Sequence, residues 1–243
     1  MLFRSGDRMS ELFYISPSSQ PENRYTVGNT NEQEQCRKIA VALQKELERC
    51  GLTCRTGLSG TMYTRADESD KLGATLHLPI HTNAFDGKVA GLRIMVSQLG
   101  GKAEQIAKAI MKHLAPVTPG ESDGISAQPQ LYEIRATDAI CVYIEVGFHD
   151  NPEEAQWIID NTEKIAEMIA RGLCEYYGRT YVAKQTSEGF KDVDAKAWYA
   201  SAVEYCQRAG LMVGDPDGNF RPNDPVTRAE VAAVAERLHK MMT

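Results

Sequence analysis

Short apolar runs alternate with helical periods over the first 178 residues of the chain. Six runs have the length and bulky apolar character of strands. They span residues 12–15, 52–55, 75–80, 91–97, 130–135 and 140–146. Four other segments show helical spacing or helix-start signals, at residues 32–50, 63–72, 103–114 and 152–177. This alternation predicts an α/β fold with a mostly parallel twisted sheet of about six strands and helices on both faces.

The pattern changes after residue 178. Residues 179–188 have no clear period and are predicted to be a linker between a domain at 9–178 and a module at 189–243. The module has two helical stretches around a loop rich in Gly, Asp and Pro, so we expect a small all-α unit. Thr227 and Glu230 have the spacing of a capping box at the start of its second helix.

Composition narrows the possible partners. The formal net charge is -6, and no basic cluster is present, which argues against a nucleic-acid partner. No apolar run approaches the roughly 20 residues needed to span a bilayer, so no membrane partner is expected. The N-terminus shows no apolar core of signal-peptide length, and Met9 is a candidate start with residues 1–8 as a leader or a vector remnant.

The six cysteines do not form a CxxC pair. Most lie at positions predicted to be helical or in the core. We therefore expect free, partly buried thiols rather than a disulfide framework or a zinc knot. This fits synthesis in a reducing cytoplasm.

The stretch Ala139–Pro152, AICVYIEVGFHDNP, holds the main candidate for chemistry. Its apolar run leads to Glu145, and carboxylates beyond strand ends are where open α/β sheets place working residues. Zinc hydrolases hold the metal with N and O ligands, for which Glu32, His81 and His149 are the candidates. A nearby carboxylate moves the proton. Taken singly, each has a structural alternative: an Arg-paired Glu145, a helix-start Glu32 favoured by the dipole, and a hydrogen-bonded turn His81.

Residues from about 11 to 178 resemble the zinc-dependent N-acetylmuramoyl-L-alanine amidases of the "amidase 3" type. The matching segments occur in the family's order: NEQEQCRKIAVALQKELERCGL, TLHLPIHTNAF, GLRIMVS and LYEIRATDAICVYIEVGFHDNPEEA. The resemblance implies a Zn²⁺ cofactor held by Glu32 and His81, with Glu145 as the catalytic base. It implies hydrolysis of the amide between N-acetylmuramic acid and L-alanine in peptidoglycan. Asn83 and Arg135 lie at predicted strand ends near the same rim and are therefore candidate substrate-binding residues, with a structural Arg–Glu pair as the alternative.

One departure concerns the turn after the first strand. The family has Asp-Pro-Gly-His there, with the His as a zinc ligand, whereas this chain has Ser16-Pro17-Ser18-Ser19. A hydroxyl is a poor zinc ligand beside imidazole. We expect His149 to supply the missing nitrogen. The alternatives are a weak site completed by water, or a non-catalytic peptidoglycan-binding or regulatory protein on the same fold.

His77 precedes His81 by four residues on the same predicted strand. At about 3.3 Å per residue the two lie roughly 13 Å apart, which is too far to share a metal ion. We therefore expect His77 to be a second-layer or core histidine.

The tail resembles a single S-layer homology motif. The matching residues are Phe190, Asp192, Val193, Trp198, Tyr199, Ala202, Val203, Gly210, Gly214, Gly218, Phe220, Pro222 and Thr227-Arg228-Ala229-Glu230. The resemblance implies binding to a secondary cell-wall polymer, with Trp198 and Arg228 as candidate contacts because Arg pairs well with anionic groups. Since such motifs usually act in threes, a homotrimer is one expectation.

Together these features predict a protein that acts at the bacterial cell wall after cytoplasmic synthesis, as an endolysin released by lysis or as an autolysin with non-standard export. An unrelated α/β metallohydrolase would need a separate explanation for the tail.

Overall fold

The computed structural model describes residues 11–122, 124–183 and 189–242, in two units that divide between Val182 and Ala183. The proposed leader at 1–8 and the second half of the predicted linker, residues 184–188, lie outside the described residues. The start of that linker belongs to the first unit. Tyr181 donates its hydroxyl hydrogen to Glu46 (2.6 Å), and Arg49 Nε donates to the carbonyl of Val182 (2.8 Å).

The first unit alternates strands and helices in the order that the sequence predicts, except between α3 and β6, where a strand and a short helix replace one predicted strand. Its strands are β1 (Leu12–Pro17), β2 (Thr53–Thr56), β3 (Leu76–Asn83), β4 (Arg93–Val96), β5 (Gly124–Ala127), β6 (Ile140–Cys141) and β7 (Tyr143–Phe148). Its α-helices are α1 (Glu32–Arg49), α2 (Met62–Lys71), α3 (Lys102–Leu114), α4 (Tyr132–Ala136), α5 (Pro152–Asp160) and α6 (Thr162–Tyr176).

The strands form one mixed sheet in the order β2-β1-β3-β7-β4-β5, and β6 pairs with β3. All pairs are parallel except β4 with β7, which is antiparallel. The sequence pattern did not predict β5. Its four residues, Gly-Ile-Ser-Ala, include only one bulky apolar side chain, so they lack the apolar run that predicts a strand. The strand lies at the edge of the sheet.

Side chains along β1 alternate between the two faces of the sheet, and they meet helices on both faces. Phe13 and Ile15 join the main apolar core, which α1, α3 and α6 supply from one side. Tyr14 faces the other way and donates to Glu68 of α2 (2.6 Å). Ser16, on the same face as Tyr14, donates to a carboxylate of α4. The prediction of a sheet covered on both faces is confirmed.

The same alternation on β3 separates apolar from polar side chains. Leu76, Leu78 and Ile80 lie fully buried in the main core. His77 and His81, at the intervening positions, therefore point to the opposite face, towards α2 and α4. They are also buried.

Strand β7 and the residue before it repeat this arrangement beside β3. Val142, Ile144 and Val146 belong to the main core. Tyr143 and Glu145 lie on the other face. The histidine-bearing face of β3 thus continues onto β7 as one polar surface, which we call the polar face of the sheet.

Three local predictions need correction. The segment 130–135 is not a strand: most of it forms α4, which packs beside α2 and turns Glu133 towards Ser16 and His77. His81 does not follow β3 but lies inside it, since pairing with β7 extends β3 to Asn83. Glu145 likewise lies inside β7 rather than at its end.

The second unit contains helices α7 (Ala200–Arg208) and α8 (Arg228–Met242). Phe190, Val203 and Leu211 are its buried apolar side chains among the described residues. The predicted capping box is present: Thr227 Oγ1 accepts from the backbone N–H of Glu230 (3.2 Å), and Glu230 Oε2 accepts from that of Thr227 (2.7 Å). No helix in the described part of the chain is long and apolar enough to cross a membrane.

Candidate active site

The polar face of the sheet brings together three of the predicted site residues. His81 of β3 and Glu145 of β7 are directly paired in the strand register. Glu32, the first residue of α1, places its Oε1 2.9 Å from His81 Nδ1. These residues are far apart in sequence, so the strand order and the position of α1 create the cluster.

Glu32 is held inside the protein rather than at an exposed helix start. Asn31 caps α1 by accepting the N–H of Glu34, which turns the Glu32 side chain inwards, where it is 1% exposed. Asn23 Nδ2 donates to its Oε2 (2.6 Å). Burial acts to raise the pKa of Glu32, but the hydrogen bonds with His81 and Asn23 outweigh it and hold that pKa below its usual value. The carboxylate is therefore ionised.

His81 lies between carboxylates. Burial alone would lower the pKa of its imidazole, but the carboxylates of Glu133 and Glu32 outweigh burial and raise that pKa to about 9. Its ring stacks on Tyr143, with centroids 4.6 Å apart. The stacking and the carboxylates fix the ring plane.

Glu145 has the properties of a proton acceptor. Its Oε2 is buried and has no hydrogen-bond partner. Burial, with a further contribution from Glu32, raises the pKa of this carboxyl to about 7, against the opposing effects of His81 and Arg93. Arg93 pairs with Glu145 in the β4–β7 register. A carboxyl that titrates near neutral pH can both accept and release a proton.

Glu133 of α4 is a site residue that the sequence pattern missed. It is 2% exposed and accepts a hydrogen bond from Ser16 Oγ. Its Oε1 lies 3.2 Å from His77 Nε2, and its Oε2 lies 3.6 Å from His81 Nε2. Burial acts to raise its pKa, but both histidines outweigh it and lower that pKa to about 2. The one signal in the sequence is an acidic residue inside the predicted strand at 130–135.

His77 lies behind this carboxylate, in the second layer that the strand spacing predicted. Its ring is fully buried and stacks on Tyr14 with centroids 5.4 Å apart. Its Nε2 faces Glu133, so it supports the site from the side of β1 and α2.

His149 contacts Thr82, the residue that follows His81 on β3. Its Nδ1 is 3.0 Å from Thr82 Oγ1, and its ring stacks on Tyr25 at 5.4 Å. The backbone N–H of Thr82 in turn donates to Glu32 Oε1 (3.3 Å). The structure therefore places His149 beside the pair but with its ring engaged by Thr82 and Tyr25.

Two side chains of the site are suitable zinc ligands. Glu32 supplies an oxygen and His81 Nδ1 a nitrogen, both of them usual zinc ligands. Ser19 follows β1, and the next residue, Gln20, brings its Nε2 to 3.4 Å from His81 Nδ1. Over residues 11–122, 124–183 and 189–242, no group of three His, Cys, Asp or Glu side chains is arranged to hold a metal ion. A third protein ligand is thus not formed in this conformation.

The predicted substrate-binding residues differ in exposure, since Asn83 is partly buried and Arg135 is exposed. Asn83 ends β3, and its Oδ1 accepts from the N–H of Ala84 (2.9 Å). Arg135 is exposed on α4, with its guanidinium 5.2 Å from the ring centroid of Tyr132.

In the second unit, Trp198 is 91% exposed, and Arg228 is exposed at the first residue of α8. A groove of about 530 Å³ in this unit is lined by other residues, including Phe220, Arg221 and Arg237. The two predicted polymer contacts therefore do not share this groove.

Comparison with known proteins matches both parts of the chain. Residues 16–175 match the family model described as N-acetylmuramoyl-L-alanine amidase, and residues 189–232 match the S-layer homology domain. Amylopullulanase of Thermoanaerobacterium thermosulfurigenes is 46% identical over 101 residues, which are 42% of this chain and 5% of that protein. The chain spans about a twentieth of the length of the first curated relatives that it matches.

Two solved structures show the same fold as the first unit. The catalytic domain of CwlV, an N-acetylmuramoyl-L-alanine amidase from Bacillus (Paenibacillus) polymyxa var. colistinus, has a TM-score of 0.62 at 21% identity, over 70% of this chain and 99% of that one. An N-acetylmuramoyl-L-alanine amidase from Clostridium difficile 630 has a TM-score of 0.61 at 19% identity, over 74% of this chain and 99% of that one. Because the amidase model also covers more than half of the residues, the chain belongs to the N-acetylmuramoyl-L-alanine amidase family.

Proposed function

We propose that this chain hydrolyses the amide bond between the lactyl group of N-acetylmuramic acid and L-alanine in peptidoglycan. The observation that carries the proposal is the position of Glu145. Its unpartnered Oε2 lies on the polar face beside His81, whose Nδ1 meets Glu32. This combines a proton acceptor with an N,O donor pair, as a metal-assisted amidase requires.

Glu32 and His81 hold a zinc ion in this proposal. Bound zinc would polarise the amide carbonyl and lower the pKa of the attacking water. His149 is the proposed third nitrogen donor, which requires its ring to exchange the contact with Thr82 for one with the metal. Asn23 keeps Glu32 ionised and oriented by donating to its Oε2.

Glu145 moves the proton. Its carboxylate accepts a proton from the attacking water and then delivers it to the leaving amine of L-alanine. A pKa near 7 suits both steps, because neither transfer is strongly uphill at neutral pH. Asn83 and Arg135 bind the substrate in this proposal, with Arg135 pairing with carboxylates of the peptide stem.

The second unit anchors the protein to a secondary cell-wall polymer. Trp198 and Arg228 are the proposed contacts, since an exposed aromatic ring and an exposed guanidinium suit an anionic glycan. The proposal covers two physiological settings, an endolysin and an autolysin. Immunoblots of washed walls from intact cells distinguish them, because only an exported autolysin reaches the wall before lysis.

Self-association through the second unit is a further part of the proposal. Val231 and Leu238 of α8 are 53% and 46% exposed, and a homotrimer would cover such apolar side chains. Light scattering of the full chain and of a chain ending at residue 182 tests this. A monomeric mass for both would exclude the trimer.

The central experiment measures bound zinc and the release of new L-alanine amino groups from purified peptidoglycan. Wild type and Glu145→Ala are compared. We expect zinc in both and amino-group release only with wild type, because Glu145 moves protons and is not a proposed ligand. Equal release by both variants would contradict the assignment of Glu145.

A non-catalytic peptidoglycan-binding or regulatory protein is the second candidate function. Two observations favour it: Ser19 in place of the family's histidine, and a site with two rather than three converging donors in the described residues. The same experiment separates the two functions. Peptidoglycan binding without zinc and without amino-group release would establish the second.

A further inference from the structure

The two ring nitrogens of His81 have different surroundings. Nδ1 lies 2.9 Å from Glu32 Oε1 and 3.4 Å from Gln20 Nε2. Nε2 is buried without a hydrogen-bond partner, and Glu133 Oε2 lies 3.6 Å from it. This distance is an ion-pair contact, slightly too long for a hydrogen bond. The ring therefore turns Nδ1 towards Glu32 and Nε2 towards Glu133.

Glu133 is itself fixed in place. Ser16 on β1 donates to its Oε1, and His77 Nε2 on β3 lies 3.2 Å from the same oxygen. These contacts tie one carboxylate oxygen of α4 to two strands of the sheet. The other oxygen, Oε2, remains directed at His81.

If Glu133 served only to join α4 to the sheet, that role would explain the contacts of Oε1 but not the position of Oε2. Joining α4 to the sheet requires the contacts with Ser16 and His77, which Oε1 alone makes. It does not require a second oxygen aimed at the unpartnered nitrogen of His81. Metal-binding histidines almost always donate their other ring N–H to a carboxylate, carbonyl or water, which fixes the tautomer and the ring orientation.

We propose that Glu133 is a positioning residue, which accepts the Nε2–H of His81 and so fixes Nδ1 as the nitrogen that faces the metal. This inference rests on the proposed function, because it takes His81 as a zinc ligand. A shift of less than about 1 Å turns the present contact into a charge-assisted hydrogen bond. Glu133 does not touch the substrate and acts only through His81.

Zinc affinity is the first test. Dissociation constants are measured by competition with a chromophoric chelator for wild type, Glu133→Ala and Glu133→Gln. Loss of an outer carboxylate typically weakens metal binding about 10–100-fold, which is the change expected for Glu133→Ala. Glu133→Gln should lose less, because its amide oxygen still accepts the Nε2–H. Equal affinity of Glu133→Ala and wild type would overturn the proposal.

Glu154→Gln is the matched control. Glu154 is also fully buried, but its carboxylate accepts from the backbone N–H groups of Gly91 (2.9 Å) and Phe148 (2.7 Å). Its replacement should lower the thermal unfolding midpoint without changing the zinc affinity of the folded protein. A comparable loss of affinity in this control would assign the effect of Glu133→Ala to general loosening and overturn the proposal.

The second readout does not depend on zinc. Proton–nitrogen NMR spectra of the metal-free protein should show a protected His81 Nε2–H resonance in wild type and in Glu154→Gln, and lose it in Glu133→Ala. If wild type binds no zinc, the metal part of the proposed function fails and this readout alone decides the role of Glu133. A resonance unchanged by Glu133→Ala would then overturn the proposal.

Discussion

Glu145 and His81 are direct partners in the parallel pairing of β7 with β3, so a partly buried glutamate whose Oε2 is enclosed lies next to a buried imidazole on the polar face of the sheet. The local sequence around each residue does not predict that the two are neighbours. The pairing places the proposed base beside a proposed ligand, and it depends on two strands whose paired residues are 64 positions apart (145 minus 81).

Glu32→Ala should abolish zinc binding, whereas Glu34→Ala should not. Both residues lie in the first turn of α1, but Glu32 is buried against His81 and Glu34 is exposed and paired with Lys38. Zinc content after gel filtration, with circular dichroism to check folding, measures the difference. Equal zinc content in the two variants would contradict Glu32 as a ligand.

His149→Ala should lower zinc affinity if its imidazole supplies the third nitrogen. The control is His113→Ala, which removes a partly exposed histidine that pairs with Glu175 far from the polar face. Titration calorimetry with zinc compares both variants with wild type. Unchanged affinity in His149→Ala would leave its ring as a packing group against Tyr25 and Thr82.

Gly172→Ala should destabilise the first unit by about 1–2 kcal/mol. A methyl group there would lie 2.5 Å from Ile110 Cα, so α3 and α6 would have to separate. Overpacking costs about 1–3 kcal/mol, and the better helix propensity of alanine returns up to about 1 kcal/mol. Urea unfolding measures the change.

Gly101→Ala is the control for Gly172→Ala. It lies before α3, and the nearest atom to its added methyl group is Gln98 Nε2 at 3.8 Å. Because Gly101 is the N-cap of α3, where alanine is less favourable than glycine, its unfolding free energy should fall by less than about 1 kcal/mol, with no steric contribution. A cost as large as that of Gly172→Ala would contradict the steric explanation.

Alkylation of the native protein should modify Cys206 first. All six cysteines are free, as the sequence predicted, and Cys206 is partly exposed on α7. Burial, with Glu48 adding to it, raises the pKa of the Cys54 thiol to about 12, so little reactive thiolate forms at mildly alkaline pH. Peptide mass spectrometry after brief iodoacetamide treatment gives the order, and faster labelling of Cys54 would contradict it.

The local sequence was enough to predict which side chains share a face. Along β3, apolar residues alternate with His77 and His81, and a strand must place these two sets on opposite sides. The capping box at Thr227 was equally predictable, because its donors and acceptors lie within four residues. The order of the other strands and helices followed from the same short periods, whereas β5 and α4 did not.

Only the tertiary structure decided which groups meet at the site. Glu133 contacts Ser16 across 117 positions and His77 across 56, and no local period reports such distances. The fold also made most of the segment 130–135 a helix, and it is this helix that turns the buried Glu133 towards side chains of β1 and β3. Sequence periodicity reports the environment of single positions, whereas the partners of a buried carboxylate depend on strand order. The stretch around Glu145 therefore indicated the chemistry, and the order of the strands determined which side chains surround it.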